Sequence, residues 1–156
     1  MTLEDLLSPD QAVTGLRVGG KDALLEEMAR RAGRATGLGM DAILSALVKR
    51  EALGSTGVGD GVALPHGRLA GLARPFGLLA SLRAAIAYEA VDDRPVDLVV
   101  LLLLPRNAEG ADLNALACVA RRLRDRRVAD AMRAARDAAQ LYAAACGAGS
   151  LTRSGA

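Results

Sequence analysis

A nearly unbroken run of valine and leucine from Val96 to Leu104 constrains the fold more than any other stretch of the chain. Strands that are apolar on both faces are typical of the centre of a sheet covered by helices on both sides. Apolar residues recur with the 3.6-residue period of amphipathic helices at Lys21–Arg34, Met40–Leu53 and Asp112–Arg124. We therefore predict an α/β domain, in which helices flank a mixed β-sheet on both faces.

Shorter segments complete the predicted order of elements. Hydrophobic alternation between turn residues predicts further strands, and short periodic segments predict further helices. We expect residues 1–146 to form a single domain and residues 147–156 to form a flexible tail. The predicted strands are Gln11–Val18, Val62–Leu64, Phe76–Leu82 and Ile86–Ala90, and the predicted helices are Thr2–Asp5 (ended by Ser8 and Pro9), Val128–Arg136 and Ala138–Cys146.

The composition excludes several classes of protein. Of the 156 residues, 51% are hydrophobic and 24% are charged, which is typical of a globular domain. The formal net charge of +2 is too small for a nucleic-acid binder, and Asp125 interrupts the arginines between Arg121 and Arg127. The N-terminus is acidic and lacks the regions of a signal peptide, and the longest apolar run is too short to span a bilayer. We therefore expect a cytoplasmic protein without direct membrane insertion.

Metal and redox chemistry are also not indicated. Cys118 and Cys146 have neither metal-ligand nor redox spacing, and the chain contains a single histidine. We expect both cysteines to be small hydrophobic residues, and we expect neither a metal site nor a cofactor.

Residues 50–68, which read REALGSTGVGDGVALPHGR, contain the features most indicative of chemistry. His66 directly follows a proline, and glycines stand at positions 54, 57, 59 and 61. A neutral imidazole is a nucleophile near neutral pH, and a glycine-rich backbone can turn its N–H groups towards an anion. The stretch is not a P-loop, because Asp60 stands where the lysine is required. A Ser–His hydrolase stays open, although no residue is singled out as its acid.

The segment Gly54–Arg68 resembles the active-site signature of enzyme IIA of the bacterial phosphotransferase system, fructose/mannitol type. The segments Leu3–Pro9 and Ala87–Leu98 are similar to the nitrogen-regulatory branch of that family. The resemblance extends from about Leu3 to Cys146. It implies the enzyme IIA fructose/mannitol-type fold.

The resemblance also implies roles for individual residues. His66 would accept a phosphoryl group at Nε2 from the phosphohistidine of a small carrier protein, with Nδ1 held by an acceptor that fixes the tautomer. Arg50 would screen the phosphoryl charge or orient the loop, although it also suits the end of a helix as a solvated charge. Arg68 would meet the partner or face solvent. Ser55, Thr56 and Gly57 would support the phosphoryl group, while the two hydroxyls could equally close the turn.

The sequence departs from the family at one position. Members commonly carry a second histidine at the start of the helix after the long strand, and the match of Leu113–Leu116 places Asn114 there. An asparagine can donate a hydrogen bond to a phosphoryl oxygen but cannot become cationic. We predict that transfer still occurs, with a weaker pH dependence than in a relative with two histidines.

Three functional hypotheses follow. The first is a phosphoryl-relay protein that regulates partners through its phosphorylation state, and the resemblance implies potassium transport systems or sensor kinases as targets. The second is a fructose-type component that passes phosphate to an enzyme IIB. The third, from another class, is a non-catalytic interaction module whose loop senses anions.

Overall fold

The computed structural model describes residues 2–147. Three-ten turns at Leu3–Asp5 and Pro9–Gln11 precede the first strand. Apart from Gly147, the predicted tail lies outside the described residues. The strands are β1 Ala12–Leu16, β2 Gly57–Gly59, β3 Val62–Ala63, β4 His66–Leu69, β5 Phe76–Ile86 and β6 Val96–Pro105, and the helices are α1 Lys21–Thr36, α2 Met40–Ala52, α3 Ala111–Arg124, α4 Arg126–Ala134 and α5 Ala138–Cys146.

The strands of residues 2–147 form one mixed sheet in the order β1-β5-β6-β3-β2, and β4 also pairs with β6. β6 runs antiparallel to β5 and parallel to β3 and β4, while β1 is parallel to β5. The even-numbered residues 98–104 of β6 pack with α3, α4 and α5, and the odd-numbered residues 99–103 pack with α1 and α2. The predicted α/β class, with both faces of the central strand covered, is therefore confirmed.

Several predicted boundaries were wrong. The two strands expected at Phe76–Leu82 and Ile86–Ala90 are one strand, β5, which ends at Ile86. Its pairing with β6 shifts register between Ser81 and Ile86, so the chain passes an irregularity and still pairs Ile86 with Val96. Gly57–Gly59, expected to be a loop, pairs with β3 as β2.

Two termini also differ from their predictions. Pro9 begins a second three-ten turn instead of ending the first helical segment, as its fixed φ suits a first helical position. α4 begins at Arg126, two residues earlier than predicted, because the Asp125 carboxylate accepts a hydrogen bond from the Arg127 N–H and caps the helix.

The junction between β3 and β4 positions the only histidine. β3 pairs with residues 98–99 of β6, Leu64 and Pro65 follow, and β4 pairs with residues 102–105 of the same strand. His66 is the first residue of β4. Helix α2 packs closely on this strand, since a Cβ placed on Gly67 would lie 3.0 Å from the Cβ of Ala46. His66 is therefore held between the central strand and the C-terminal half of α2.

Candidate functional site

The His66 ring is held by one hydrogen bond at each nitrogen. Nδ1 lies 2.9 Å from the carbonyl oxygen of Leu64, and Arg50 Nε donates to Nε2 at 3.2 Å. A carbonyl can only accept and a guanidinium can only donate. The geometry therefore assigns the proton to Nδ1 and leaves the Nε2 lone pair facing Arg50.

The surroundings of His66 favour its neutral form. Burial of the ring lowers its pKa most, the Leu64 carbonyl opposes this, and the nearby Arg50 charge lowers the pKa further. The result is a pKa below the ordinary value of about 6.5. At neutral pH the imidazole is therefore unprotonated at Nε2 and is available as a nucleophile.

We expect the Arg50→Gln variant to raise the pKa of His66, because a cation that disfavours the imidazolium is removed. Since the chain has one histidine, the ring resonances can be followed without ambiguity through an NMR pH titration. Lys49→Gln removes the same charge from the neighbouring position of α2 and is expected to shift the midpoint less. An unchanged or lower midpoint in Arg50→Gln would contradict this electrostatic account.

Arg50 lies in the last turn of α2 and donates hydrogen bonds to two groups at once. Besides its contact with His66, Nη1 donates to the carbonyl oxygen of Gly54 at 2.9 Å. This second bond satisfies a carbonyl just beyond the helix end, where a cation is also favourable to the helix dipole. Arg50 thus lies both at the end of α2 and beside His66, and its expected role in screening the phosphoryl charge or orienting the loop stays a prediction.

His66 opens into a cleft of about 650 Å³ between α2, β4 and the start of α3. Its lining includes four cationic side chains, of Lys49, Arg50, Arg68 and Arg106, and no acidic side chain from the described residues 2–147. Arg68 Nη1 also donates to the carbonyl oxygen of Arg106 at 3.4 Å. The cleft is therefore strongly favourable to an anion next to Nε2.

Apolar side chains border the same cleft. Leu53 is 84% exposed and Leu113 is 42% exposed, and both line the cleft together with Leu116. Large exposed apolar residues around a functional group are typical of a protein-docking surface. The cleft thus combines an unprotonated ring nitrogen, positive charge and an apolar border.

The three candidate residues of the glycine-rich loop, Ser55, Thr56 and Gly57, are not among the residues that line the cleft. Ser55 Oγ donates to the carbonyl oxygen of Tyr88 at 3.1 Å and accepts from the N–H of Gly57 at 3.0 Å. Thr56 is buried, and its hydroxyl contacts the carboxylate of Glu51 and the hydroxyl of Tyr88. These contacts close the turn and anchor it, and a role of either hydroxyl in phosphoryl binding stays a prediction.

Gly57 is held where a side chain does not fit. A Cβ at this position would lie 2.7 Å from the Cβ and 2.8 Å from the Cα of Ala90. We expect Gly57→Ala to lower the free energy of unfolding by about 1–3 kcal/mol, the range for overpacking a tight site. Urea denaturation measures this loss. The matched control Gly19→Ala adds the same methyl group in open space, and equal stability of the two variants would refute the steric reading.

Asn114 lies in the first turn of α3 and is exposed. Its neighbours Leu113 and Leu116 line the cleft. The structure thus places the start of α3 beside the His66 cleft, and direct contact of the Asn114 amide with a phosphoryl group stays a prediction.

Sequence reasoning missed a partly buried group behind the loop, formed by Glu51, Lys21 and Tyr88. It also missed the cations Lys49 and Arg106, which line the cleft. Glu51 stands directly after Arg50 in the signature stretch, and this adjacency was the only local signal. Arg106 follows the carboxyl end of the central strand, an edge where α/β sheets commonly bind ligands.

A family model described as the phosphoenolpyruvate-dependent sugar phosphotransferase system, EIIA 2, matches residues 5–145. The chain belongs to this EIIA family. The resemblance inferred from Gly54–Arg68 is thereby confirmed.

Relatives place this EIIA chain in the nitrogen-regulatory branch. It is 45% identical over 142 residues to the nitrogen regulatory protein of Bradyrhizobium diazoefficiens, covering 91% of this chain and 93% of the relative. The crystal structure of nitrogen regulatory protein IIA-Ntr from Neisseria meningitidis superposes with a TM-score of 0.86 at 32% identity, covering 92% of this chain and 98% of that one. The IIA mannitol structure from Escherichia coli, at 14% identity, shares the fold with a TM-score of 0.74 over 89% of this chain and 98% of its own.

Residues 2–147 of the EIIA chain contain neither a candidate metal cluster nor a candidate membrane-spanning helix. No group of three or more His, Cys, Asp or Glu side chains in this part is arranged to hold a metal ion. None of its helices has both the length and the apolar character required to cross a membrane.

Proposed function

We propose that this EIIA chain is a cytoplasmic phosphoryl-relay protein whose phosphorylation state regulates partner proteins. His66 accepts the phosphoryl group from the phosphohistidine of a carrier protein. The observation that supports this most is the His66 ring itself, which presents an unprotonated Nε2 to a cationic cleft while Leu64 holds the proton on Nδ1.

The chemistry requires only the exchange of one P–N bond for another. The Nε2 lone pair of His66 attacks phosphorus, and the bond to the donor's ring nitrogen breaks with its electron pair returning to the donor. Nδ1 keeps its proton and its bond to Leu64. Because the phosphoryl oxygens carry charge throughout transfer, the nearby Arg50 and the other cations of the cleft stabilise the group as it moves.

Arg50 has to change partners during this step. Its Nε–H occupies the Nε2 lone pair at 3.2 Å in the free protein. When phosphorus approaches Nε2, the guanidinium is released to donate to the phosphoryl oxygens instead, which are stronger acceptors. The bond from Nη1 to Gly54 keeps the group nearby during the exchange.

Docking of a protein donor is supported by the border of the cleft. Exposed Leu53 and Leu113 flank the cleft into which His66 opens, so an apolar surface carrying the donor histidine can exclude water from the reacting atoms. Arg68 and Arg106 lie on the same rim and are placed to meet acidic groups of a partner. We propose that regulated targets, such as a potassium transporter or a sensor kinase, use this same surface.

The test is phosphoryl transfer to the purified chain. We incubate it with a phosphorylated histidine phosphocarrier protein and measure the intact mass at neutral pH, because phosphohistidine is acid-labile. The mass is expected to rise by one phosphoryl group. Absence of the adduct with an active donor contradicts the proposal and favours the anion-sensing module.

A second step separates regulation from sugar transport. The phosphorylated chain is mixed with an enzyme IIB, and the mass of the IIB protein is followed. We expect the phosphoryl group to stay on the EIIA chain. Efficient transfer to a IIB cysteine contradicts the regulatory reading and supports the fructose-type alternative.

A further inference from the structure

We infer that Glu51 is a positioning residue for phosphoryl transfer, which holds the Leu64 carbonyl in place and thereby keeps Nε2 of His66 free of its proton. This inference rests on the proposed function only for its effect on transfer. Its effect on the ring itself is independent of any donor.

Glu51 ties the glycine-rich loop to the body of the domain. Its side chain is only 7% exposed, and its carboxylate lies 2.9 Å from Lys21 Nζ. The N–H of Thr56 donates to Oε1 at 3.1 Å, and the hydroxyls of Thr56 and Tyr88 both contact Oε2, the latter at 3.3 Å. One side chain therefore fixes the start of the loop against the first turn of α1 and the segment after β5.

Thr56 links the Glu51 carboxylate to the backbone beside His66. Its carbonyl oxygen accepts from the N–H of Leu64 at 2.9 Å, and the carbonyl oxygen of Leu64 faces Nδ1 of His66 at 2.9 Å. Three hydrogen bonds, joined by the backbone of Thr56 and Leu64, thus connect Glu51 with His66. The carbonyl that accepts the Nδ1 proton of His66 is held at the end of this series.

The charge of Glu51 suits this role. Burial alone would raise its pKa, but hydrogen bonds from Thr56 and Lys21 outweigh burial, and the pKa lies below its ordinary value. The carboxylate is therefore ionised at neutral pH and acts purely as an acceptor. Lys21 Nζ also lies 4.6 Å from the centre of the Tyr88 ring. The Lys21 cation is therefore held both by the Glu51 carboxylate and by the face of this aromatic ring.

The test compares Glu51→Ala with Glu89→Ala by ¹⁵N NMR of the His66 ring. Glu89 also contacts Lys21, at 3.7 Å, but its side chain is 84% exposed. We expect the wild type and Glu89→Ala to show Nδ1 protonated and Nε2 unprotonated. Glu51→Ala is expected to show a mixture of the two tautomers. A wild-type ring spectrum in Glu51→Ala overturns the inference.

Kinetics with a phosphorylated carrier protein provides the second readout. We expect kcat to fall about 10- to 100-fold in Glu51→Ala with KM nearly unchanged, because misplacement of a reacting group by about 1 Å costs up to 100-fold while the docking surface is intact. An effect on KM alone overturns the positioning role. If the wild type accepts no phosphoryl group, the proposed function fails, and the ring spectra still decide the inference.

A second pair of variants applies if Glu51→Ala does not fold. Thr56→Val weakens the link to Glu51, because the hydroxyl contact is lost and only the backbone N–H still donates to the carboxylate, whereas Thr56→Ser keeps both contacts. We expect Thr56→Val to show the tautomer mixture, and Thr56→Ser to show the wild-type ring spectrum. Identical ring spectra in the two variants overturn the inference.

Discussion

Replacing His66 with glutamine is expected to abolish phosphoryl acceptance while the fold is retained. The amide of glutamine has no nucleophilic nitrogen, because its lone pair is delocalised, and the chain has no other histidine. The side chain is only partly buried, and a glutamine N–H can still donate to the carbonyl of Leu64. The loss therefore concerns chemistry and not packing.

The measurement is the intact mass after incubation with a phosphorylated carrier, alongside a urea unfolding curve. We expect no phosphoryl adduct in His66→Gln and a free energy of unfolding within about 1 kcal/mol of the wild type. An adduct on the folded variant would mean that another residue is the acceptor.

Arg50→Gln is expected to slow phosphoryl transfer by about 100-fold in kcat/KM, which is typical for the loss of one charged donor at a developing anion. The guanidinium contacts Nε2 directly, at 3.2 Å, and is the cation nearest to the bond that forms. Its removal also lets the pKa of His66 rise, so that part of the loss is recovered at higher pH.

Stopped-flow or quenched transfer assays between pH 5 and pH 8 measure this effect. Below the pKa of His66 the ring is protonated at Nε2 and the rate falls, and above it the rate is constant. The plateau of Arg50→Gln is expected to begin at higher pH than that of the wild type. The control Lys49→Gln removes an equal charge from the same cleft and is expected to change the rate only a few-fold. Equal losses in both variants would show that net charge matters and the contact does not.

The fold was predictable from the sequence where one periodicity dominated. The run from Val96 to Leu104 could only be a strand covered on both faces, and α1 and α2 have a clear helical period. β5 was divided in the prediction because Arg83, Ala84 and Ala85 interrupt its apolar pattern. These residues are exposed at a register shift between Ser81 and Ile86, and pairing with β6 resumes at Ile86.

The site was predictable only in part. The stretch from Arg50 to Arg68 singled out His66 as the expected nucleophile, and the resemblance to enzyme IIA favoured a role for Arg50 beside it. The acceptor for Nδ1 could not be predicted, since it is a backbone carbonyl, and any residue at position 64 supplies one. Glu51 contacts Lys21 and Tyr88, which lie 30 and 37 positions away in the chain. No local sequence pattern indicates contacts over such separations.

The central claim is that Nε2 of His66 carries the phosphoryl group. It is tested most directly by labelling the protein with ¹⁵N, phosphorylating it with the carrier protein, and measuring phosphorus–nitrogen coupling in the His66 ring by NMR. We expect the coupling at Nε2, with Nδ1 still protonated and bonded to Leu64. A phosphoryl group bound to Nδ1, or to any residue other than His66, would contradict the account.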